Sequence, residues 1–225
     1  MSIESNLRQV NETIAQAAEC AGRAPSSVRL IGVSKTVGRG QVDEAYAAGL
    51  RDFGENRVQD AKEKFNPPLS AGATLHLIGY LQTNKARDAA ALFDYVHSVD
   101  RLAIIEALNK RAAQLDKHLK VLVQVNIAGE EQKHGCEPED AAGLVRAAGA
   151  CSHLEVVGLM TIAPLVATSE EARPVFRGLR ELRDEIARST GIELSELSMG
   201  MTNDYGVAIE EGATMIRVGR AVFHS

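Results

Sequence analysis

The chain has 225 residues, of which 45% are hydrophobic and 24% charged, a balance that suits a globular fold with a sizeable core and excludes a disordered or disulfide-stapled one. Its net charge of -5 gives no general attraction to nucleic acid or to an anionic membrane. No apolar run approaches the roughly 18 residues that a membrane helix needs, so small-molecule chemistry is the default.

The first residues, Met1-Ser2-Ile3-Glu4-Ser5, carry an acid and are unlike a signal peptide. Cys20, Cys136 and Cys151 are odd in number and show no CxxC spacing, which points to neither a disulfide framework nor a zinc site. A cytoplasmic, reducing location is expected. Leu7, Val10, Ile14, Ala17 and Ala21 recur at spacings of three and four, which predicts an amphipathic helix over the first twenty residues.

Beyond it, short apolar runs begin near Val28, Arg51, Leu75, Tyr95, Val121, Leu154, Leu194 and Thr214, and most are separated by segments of helical period. Leu102, Ile105, Leu108, Ala112 and Leu115 mark one such helix, with Asp100 a candidate N-cap. Val175, Leu179, Leu182 and Ile186 mark another, with Pro174 in its first turn. Eight alternations imply parallel pairing and closure, an α/β fold with a single (β/α)8 TIM barrel and an additional N-terminal helix. The second and seventh strands are short and the most weakly marked, and an open doubly wound sheet is the alternative. The last strand leaves little room for an eighth outer helix, a place the N-terminal helix can cover. No linker rich in Pro, Gly or Ser divides the chain, so residues 1–225 are read as one domain.

The first strand ends in Ser34-Lys35-Thr36. A lysine there opens onto the face where α/β barrels keep their chemistry, and an amine shielded in that mouth suits a Schiff base. A solvated lysine at a strand end is the alternative. Asn56, in Phe53-Gly54-Glu55-Asn56-Arg57, either caps the next helix or contacts a ligand. His76 lies inside the third strand, where a lone histidine is more often a satisfied core residue than a ligand. The other histidines are scattered, and no metal is assigned. Met160 closes the sixth strand, with packing the commoner role for methionine.

The carboxyl-terminal segment says more. Leu197-Ser198-Met199-Gly200-Met201 and Met215-Ile216-Arg217-Val218-Gly219-Arg220-Ala221 close the last two strands, whose loops often build a phosphate site in such barrels. Ser198, Gly200, Gly219 and Arg220 are suitable donors, although both glycines also fit tight turns. Arg217 inside a strand is costly unless paired or functional. It either faces a ring nitrogen across the mouth from Lys35 or forms an ordinary ion pair. Together the amine, the asparagine and the anion cradle suit pyridoxal 5′-phosphate.

Through Ala21-Gly22-Arg23, Val33-Ser34-Lys35-Thr36, Phe53 to Gln59, His76-Leu77-Ile78-Gly79, Leu81 to Lys85, Gly158-Leu159-Met160-Thr161, Leu197 to Met201 and Ile216-Arg217-Val218-Gly219, the chain resembles the pyridoxal phosphate homeostasis protein family. Those barrels are similar to the alanine racemase N-terminal domain. The resemblance implies that Lys35 forms the internal aldimine, that Asn56 lies near the ring, that Arg217 faces the pyridine nitrogen, and that Ser198, Gly219 and residue 220 hold phosphate. It places Met160, Met199 and Gly200 in the same cofactor site. Arg220 stands where the family often has a small hydroxyl residue, which leaves the backbone N–H as the contact there. Thr202-Asn203-Asp204 varies the polar run that usually follows Met201.

The resemblance further implies a protein that binds, stores and delivers the cofactor, with apo pyridoxal-phosphate enzymes as recipients and little catalysis of its own. The racemase completes its site with a second, β-rich domain and a tyrosine base. This sequence stops at Ser225 without one, and no motif places Tyr46, Tyr80, Tyr95 or Tyr205 as an opposing base. A monomer is expected. The competing readings are a racemase or lyase using the same lysine, and class I aldolase chemistry without cofactor.

Overall fold

The computed structural model describes residues 2–69, 72–130 and 134–224; Met1 and Ser225, both used in the sequence reading, lie outside that set. Eight parallel strands, β1 (Arg29–Val33), β2 (Asp52–Glu55), β3 (Thr74–Leu77), β4 (Tyr95–Val99), β5 (Leu119–Gln124), β6 (Leu154–Met160), β7 (Glu196–Ser198) and β8 (Met215–Val218), follow one another around a closed barrel. The ring closes where Arg29 to Gly32 pair with Met215 to Val218, so the barrel replaces the open sheet as the architecture. Strands covered on both faces are buried along their length, and every residue of β4 is buried, His97 and Ser98 included. The two weakest strands are indeed short, with β7 only three residues long.

Helices α1 (Ile3–Cys20), α2 (Arg39–Ala47), α3 (Val58–Lys64), α4 (Ala86–Leu92), α5 (Leu102–Gln114), α6 (Pro138–Gly149), α7 (Arg173–Thr190), α8 (Tyr205–Glu210) and α9 (Arg220–Phe223) surround the strands. Ser2 caps α1 by accepting the Ser5 N–H, which satisfies one of the donors a helix start leaves open. The stripe Leu7, Val10, Ile14 and Ala17 is buried. It packs against α2, α8 and α9, and the Asn6 amide donates to Val222 O at 3.0 Å. Because α9 is a single turn, α1 occupies the outer position expected of it. In α7, Pro174 lies in the first turn and Gly191 stops the helix at φ 71°, a left-handed conformation that favours glycine.

Two capping expectations are corrected. Arg101, not Asp100, is the cap position of α5 and makes no side-chain cap bond; Asp100 instead accepts from Arg101 Nη1 at 2.5 Å. Arg57, not Asn56, precedes α3, which leaves the Asn56 amide for another role. Leu102 and Leu115, placed on the buried stripe of α5, are 55% and 48% exposed. They stand at its first residue and its C-cap, past the packed middle, where Ile104, Ile105, Leu108 and Ala112 are buried.

Inside the barrel, Ile31, Tyr95, Leu122, Val157, Met160 and Met215 form a cluster of their own. Side chains two apart on a strand share a face. Tyr95 is therefore followed by His97 and Met215 by Arg217, carrying polar groups up from an apolar plug towards the carboxyl ends of the strands.

Candidate functional site

A cavity of ≈ 560 Å³ opens at those carboxyl ends, lined by Lys35, Asn56, Arg217, Gly219 and Arg220 among others. Five residues singled out in the sequence are thus brought together from β1, β2 and β8. Lys35 is exposed and makes no hydrogen bond or ion pair with a described residue. It sits in the turn that follows β1 and is not shielded as the sequence suggests.

The turn itself is fastened. Ser34 Oγ donates to Glu55 Oε1 at 2.6 Å, while Lys64 Nζ donates to the same oxygen at 2.6 Å and to Ser34 O at 2.5 Å. Glu55 is fully buried and the Lys64 side chain only 10% exposed. A buried pair of this kind holds a geometry more than it adds stability, and here it fixes the residue next to Lys35. Asn56 is set by its other neighbour: a Cβ on Gly79 would lie 2.2 Å from Asn56 O, so only glycine lets the two loops approach.

Arg217 is 4% exposed and forms no salt bridge with a carboxylate among the described residues, so an ordinary ion pair does not explain it. Nη1 donates to Ser198 Oγ at 2.7 Å and Nη2 to Thr161 O at 2.8 Å. Burial lowers its pKa to about 10, opposed by the charge of Asp204, so it remains cationic at neutral pH. Asp204 also lines the cavity and accepts the Met201 N–H at 2.6 Å; burial pushes its carboxyl up, against that bond and Arg217.

At the other side of the cavity, Gly219 packs so closely that a Cβ would lie 3.2 Å from Val33 O. In the first turn of α9 the Val222 and Phe223 N–H groups donate to Gly219 O at 3.0 Å, and the Gly219 and Arg220 N–H groups ahead of them are the ones left to form, with the Arg220 side chain, an anion-attracting edge. The exposed Arg220 side chain meets Asn203 Oδ1 at 3.3 Å.

Met160, Ser198, Met199 and Gly200 do not line this cavity. Met160 belongs to the apolar plug, and Met199 is fully buried. Ser198 Oγ is enclosed between Arg217 and His97, so its hydroxyl supports the arginine and does not face the cavity. Gly200 adopts φ 93° and packs under α8, where a Cβ would fall 2.6 Å from Ala208 Cβ.

Thr202 and Asn203, noted in the polar run after Met201 but given no role from the sequence, line the cavity. Sequence reading treated His76 and His97 as unrelated; their rings are hydrogen-bonded at 2.9 Å. Among the described residues no group of three or more His, Cys, Asp or Glu is arranged to hold a metal, and no helix is long and apolar enough to cross a membrane. A neighbouring cavity, also ≈ 560 Å³, shares Asn56, Ile78 and Ile162 with the first and carries Arg57, Lys85 and His134.

The family described as alanine racemase, N-terminal domain, matches residues 5–225. The pyridoxal phosphate homeostasis protein of Aquifex aeolicus is 42% identical over 223 residues, covering 99% of this chain and 98% of that protein. PipY of Synechococcus elongatus, solved with PLP bound, superposes with a TM-score of 0.81 at 39% identity, covering 93% of this chain and 99% of its own. An alanine racemase of Clostridium difficile, 14% identical, has a TM-score of 0.76 over 97% of this chain and 56% of its own; at that identity the likeness is one of fold.

Proposed function

The chain belongs to the pyridoxal phosphate homeostasis protein family, built on the alanine racemase N-terminal barrel, and from that premise we propose that it binds pyridoxal 5′-phosphate in the cavity carrying Lys35 and serves to hold and deliver it. The observation that carries the reading is the convergence of an amine with no ion-pair partner among the described residues, Lys35, and a buried cation, Arg217, on one cavity. The donor set fits the cofactor: an aldehyde needs an amine, a phosphate needs an anion site, and a ring nitrogen can accept from an arginine.

In this reading Lys35 Nζ would hold the cofactor through its aldehyde, an attachment that would be covalent and reversible. Arg217 donates to the ring nitrogen and, being cationic, keeps it unprotonated. Asn56 lies beside the ring. The N–H groups of Gly219 and Arg220 receive the phosphate, joined by Thr202 and the Arg220 guanidinium. Met160, Ser198, Met199 and Gly200 build the wall and floor behind these contacts. The bound cofactor supplies an electrophilic carbon and an electron sink, which the arginine weakens.

Storage and delivery, without turnover of amino acids, is favoured over a racemase or lyase by the lining of the cavity. Among the described residues no tyrosine, histidine or cysteine contributes to it, and its one carboxyl, Asp204, is engaged by the Met201 N–H, whereas racemisation needs a second acid or base opposite the lysine within hydrogen-bond reach. Recipients are apo-enzymes that use the same cofactor. Titration of the purified protein with pyridoxal 5′-phosphate tests the proposal: a visible absorption band should develop and pass to an added apo-enzyme with restoration of its activity. Absence of the band would rule the reading out, and Lys35-dependent turnover of a free amino acid would favour the enzyme.

A further inference from the structure

A line of buried polar side chains crosses the barrel from the cavity to its opposite face. It starts at Arg217, at the carboxyl end of β8, and passes through Ser198 on β7, His97 on β4 and His76 on β3 to Asp52 at the start of β2. The steps are 2.7 Å from Arg217 Nη1 to Ser198 Oγ, 2.9 Å from Ser198 Oγ to His97 Nδ1, 2.9 Å from His97 Nε2 to His76 Nδ1 and 3.0 Å from His76 Nε2 to Asp52 Oδ1. Ser198, His97 and His76 are wholly enclosed, while the Asp52 side chain is 17% exposed. Buried polar groups unused by the apolar plug would be costly without a role for the set as a whole.

The hydrogens along this line are fixed from both ends. An arginine has only donors to offer, and a carboxylate only acceptors. Arg217 therefore donates to Ser198, whose single hydroxyl proton goes to His97 Nδ1. His97 must then carry its proton on Nε2 and give it to His76 Nδ1. His76 likewise carries its proton on Nε2 and gives it to Asp52. Every bond points the same way, and each imidazole is neutral with one proton. Burial acts in the same sense on both rings. It lowers the pKa of His97 well below the usual range, helped by His76, Arg217 and Arg29. It also lowers that of His76, although Asp52 opposes it.

At the far end, Asp52 lies 3.7 Å from Arg29 Nε, and Arg29 Nη1 donates to Tyr95 Oη at 3.0 Å. Tyr95 stacks on His76 with ring centroids 4.6 Å apart. The relay is thus anchored in a polar depression on the amino-terminal face, lined by Arg29, Asp52, Asp94, Tyr95 and Lys120 among others.

We propose that Ser198, His97, His76 and Asp52 are positioning residues for Arg217, a one-way hydrogen-bond relay that fixes its guanidinium at the cavity floor and couples that guanidinium to the opposite face of the barrel. The relay rests on the proposed cofactor reading only for what Arg217 does; its own geometry is independent of the cofactor.

Long-range proton–nitrogen NMR of the cofactor-free protein tests the direction of the bonds. Both His76 and His97 should appear as neutral Nε2–H tautomers at neutral pH, in the wild type and equally in Lys35→Ala. An Nδ1–H tautomer or an imidazolium at either position would overturn the relay. Positioning is tested at a distance from the cavity. Asp52→Leu should broaden or shift the Arg217 guanidinium resonances, move the absorption band of the bound cofactor and weaken its binding about tenfold, the loss expected for a hydrogen bond to a charged group. Asp52→Asn, which can turn its amide oxygen to His76, should restore all three. A folded Asp52→Leu protein with unchanged guanidinium signals and affinity would show that the line only fills the core. Failure of the wild type to take up cofactor, with both tautomers as stated, would instead contradict the cofactor reading and leave the relay standing.

Discussion

His76 Nδ1 and His97 Nε2 are joined at 2.9 Å inside the barrel, and neither ring can take a second proton without placing a charge where water cannot reach. Burial holds both below the ordinary histidine range. An unfolded chain protonates them near pH ~6.5; the folded barrel keeps them neutral to lower pH. Their contribution to stability is therefore complete above that value and is lost as pH falls below it, by about 1.4 kcal/mol per pH unit for each ring that stays neutral. Denaturant unfolding between pH 7.5 and 5.5 should show this slope, reduced in His97→Gln. A flat profile would mean that the rings accept protons in place.

The knot of Glu55, Lys64 and Ser34 makes a second prediction. Glu55→Gln leaves the ammonium of Lys64 buried beside a neutral amide, and removing one partner of a buried pair costs about 3–5 kcal/mol. Because Lys64 also holds Ser34 O, the turn carrying Lys35 should loosen as well. In Glu55→Gln/Lys64→Met much of the stability should return. A double-mutant cycle by urea unfolding measures the coupling, and additive losses would show the pair to be independent.

Gly79→Ala would set a Cβ 2.2 Å from Asn56 O, a backbone atom with no rotamer to yield. Overpacking of this sort costs about 1–3 kcal/mol, and the displaced loop carries Asn56 into the cavity wall. Thermal unfolding should show the loss, with weaker cofactor uptake in the same variant. An unaffected melting temperature and uptake would mean that the two loops can separate freely.

Arg220 gives a contrasting case. Its side chain is exposed, and the phosphate is assigned chiefly to backbone N–H groups. Arg220→Ser, which replaces the guanidinium by a hydroxyl, should change cofactor affinity by less than about tenfold, since a solvated charge pair is worth about 0–1 kcal/mol. It should also reduce the dependence of affinity on salt. A loss of a hundredfold or more would make the guanidinium the principal phosphate ligand.

The barrel was legible because its signal is local: apolar runs of strand length alternate with stripes of helical period, and the parallel order of the strands follows from that alternation. Lys35, Asn56, Arg217, Gly219 and Arg220 were legible for a related reason, each lying at the carboxyl end of a predicted strand. What a strand end does not reveal is which way a side chain turns after it. Ser198 looked like a phosphate donor, yet the two-residue period of β7 aims it into the lumen, towards Arg217 and His97. The histidine pair was hidden by distance along the chain. His76 and His97 occupy adjacent strands, with His76 paired to Tyr95, and only that register brings the next inward residue, His97, against it. Leu102 and Leu115 fit the periodic stripe but stand at the ends of α5, where periodicity says nothing about cover.

The central claim is that Lys35 is the amine that takes the cofactor. Borohydride reduction of the cofactor-loaded protein, followed by digestion and mass spectrometry, locates the attachment directly. The account predicts a single pyridoxyl adduct on Lys35, absent from Lys35→Ala. An adduct on another lysine such as Lys64 or Lys85 in the wild type, or cofactor released without any adduct, would contradict it.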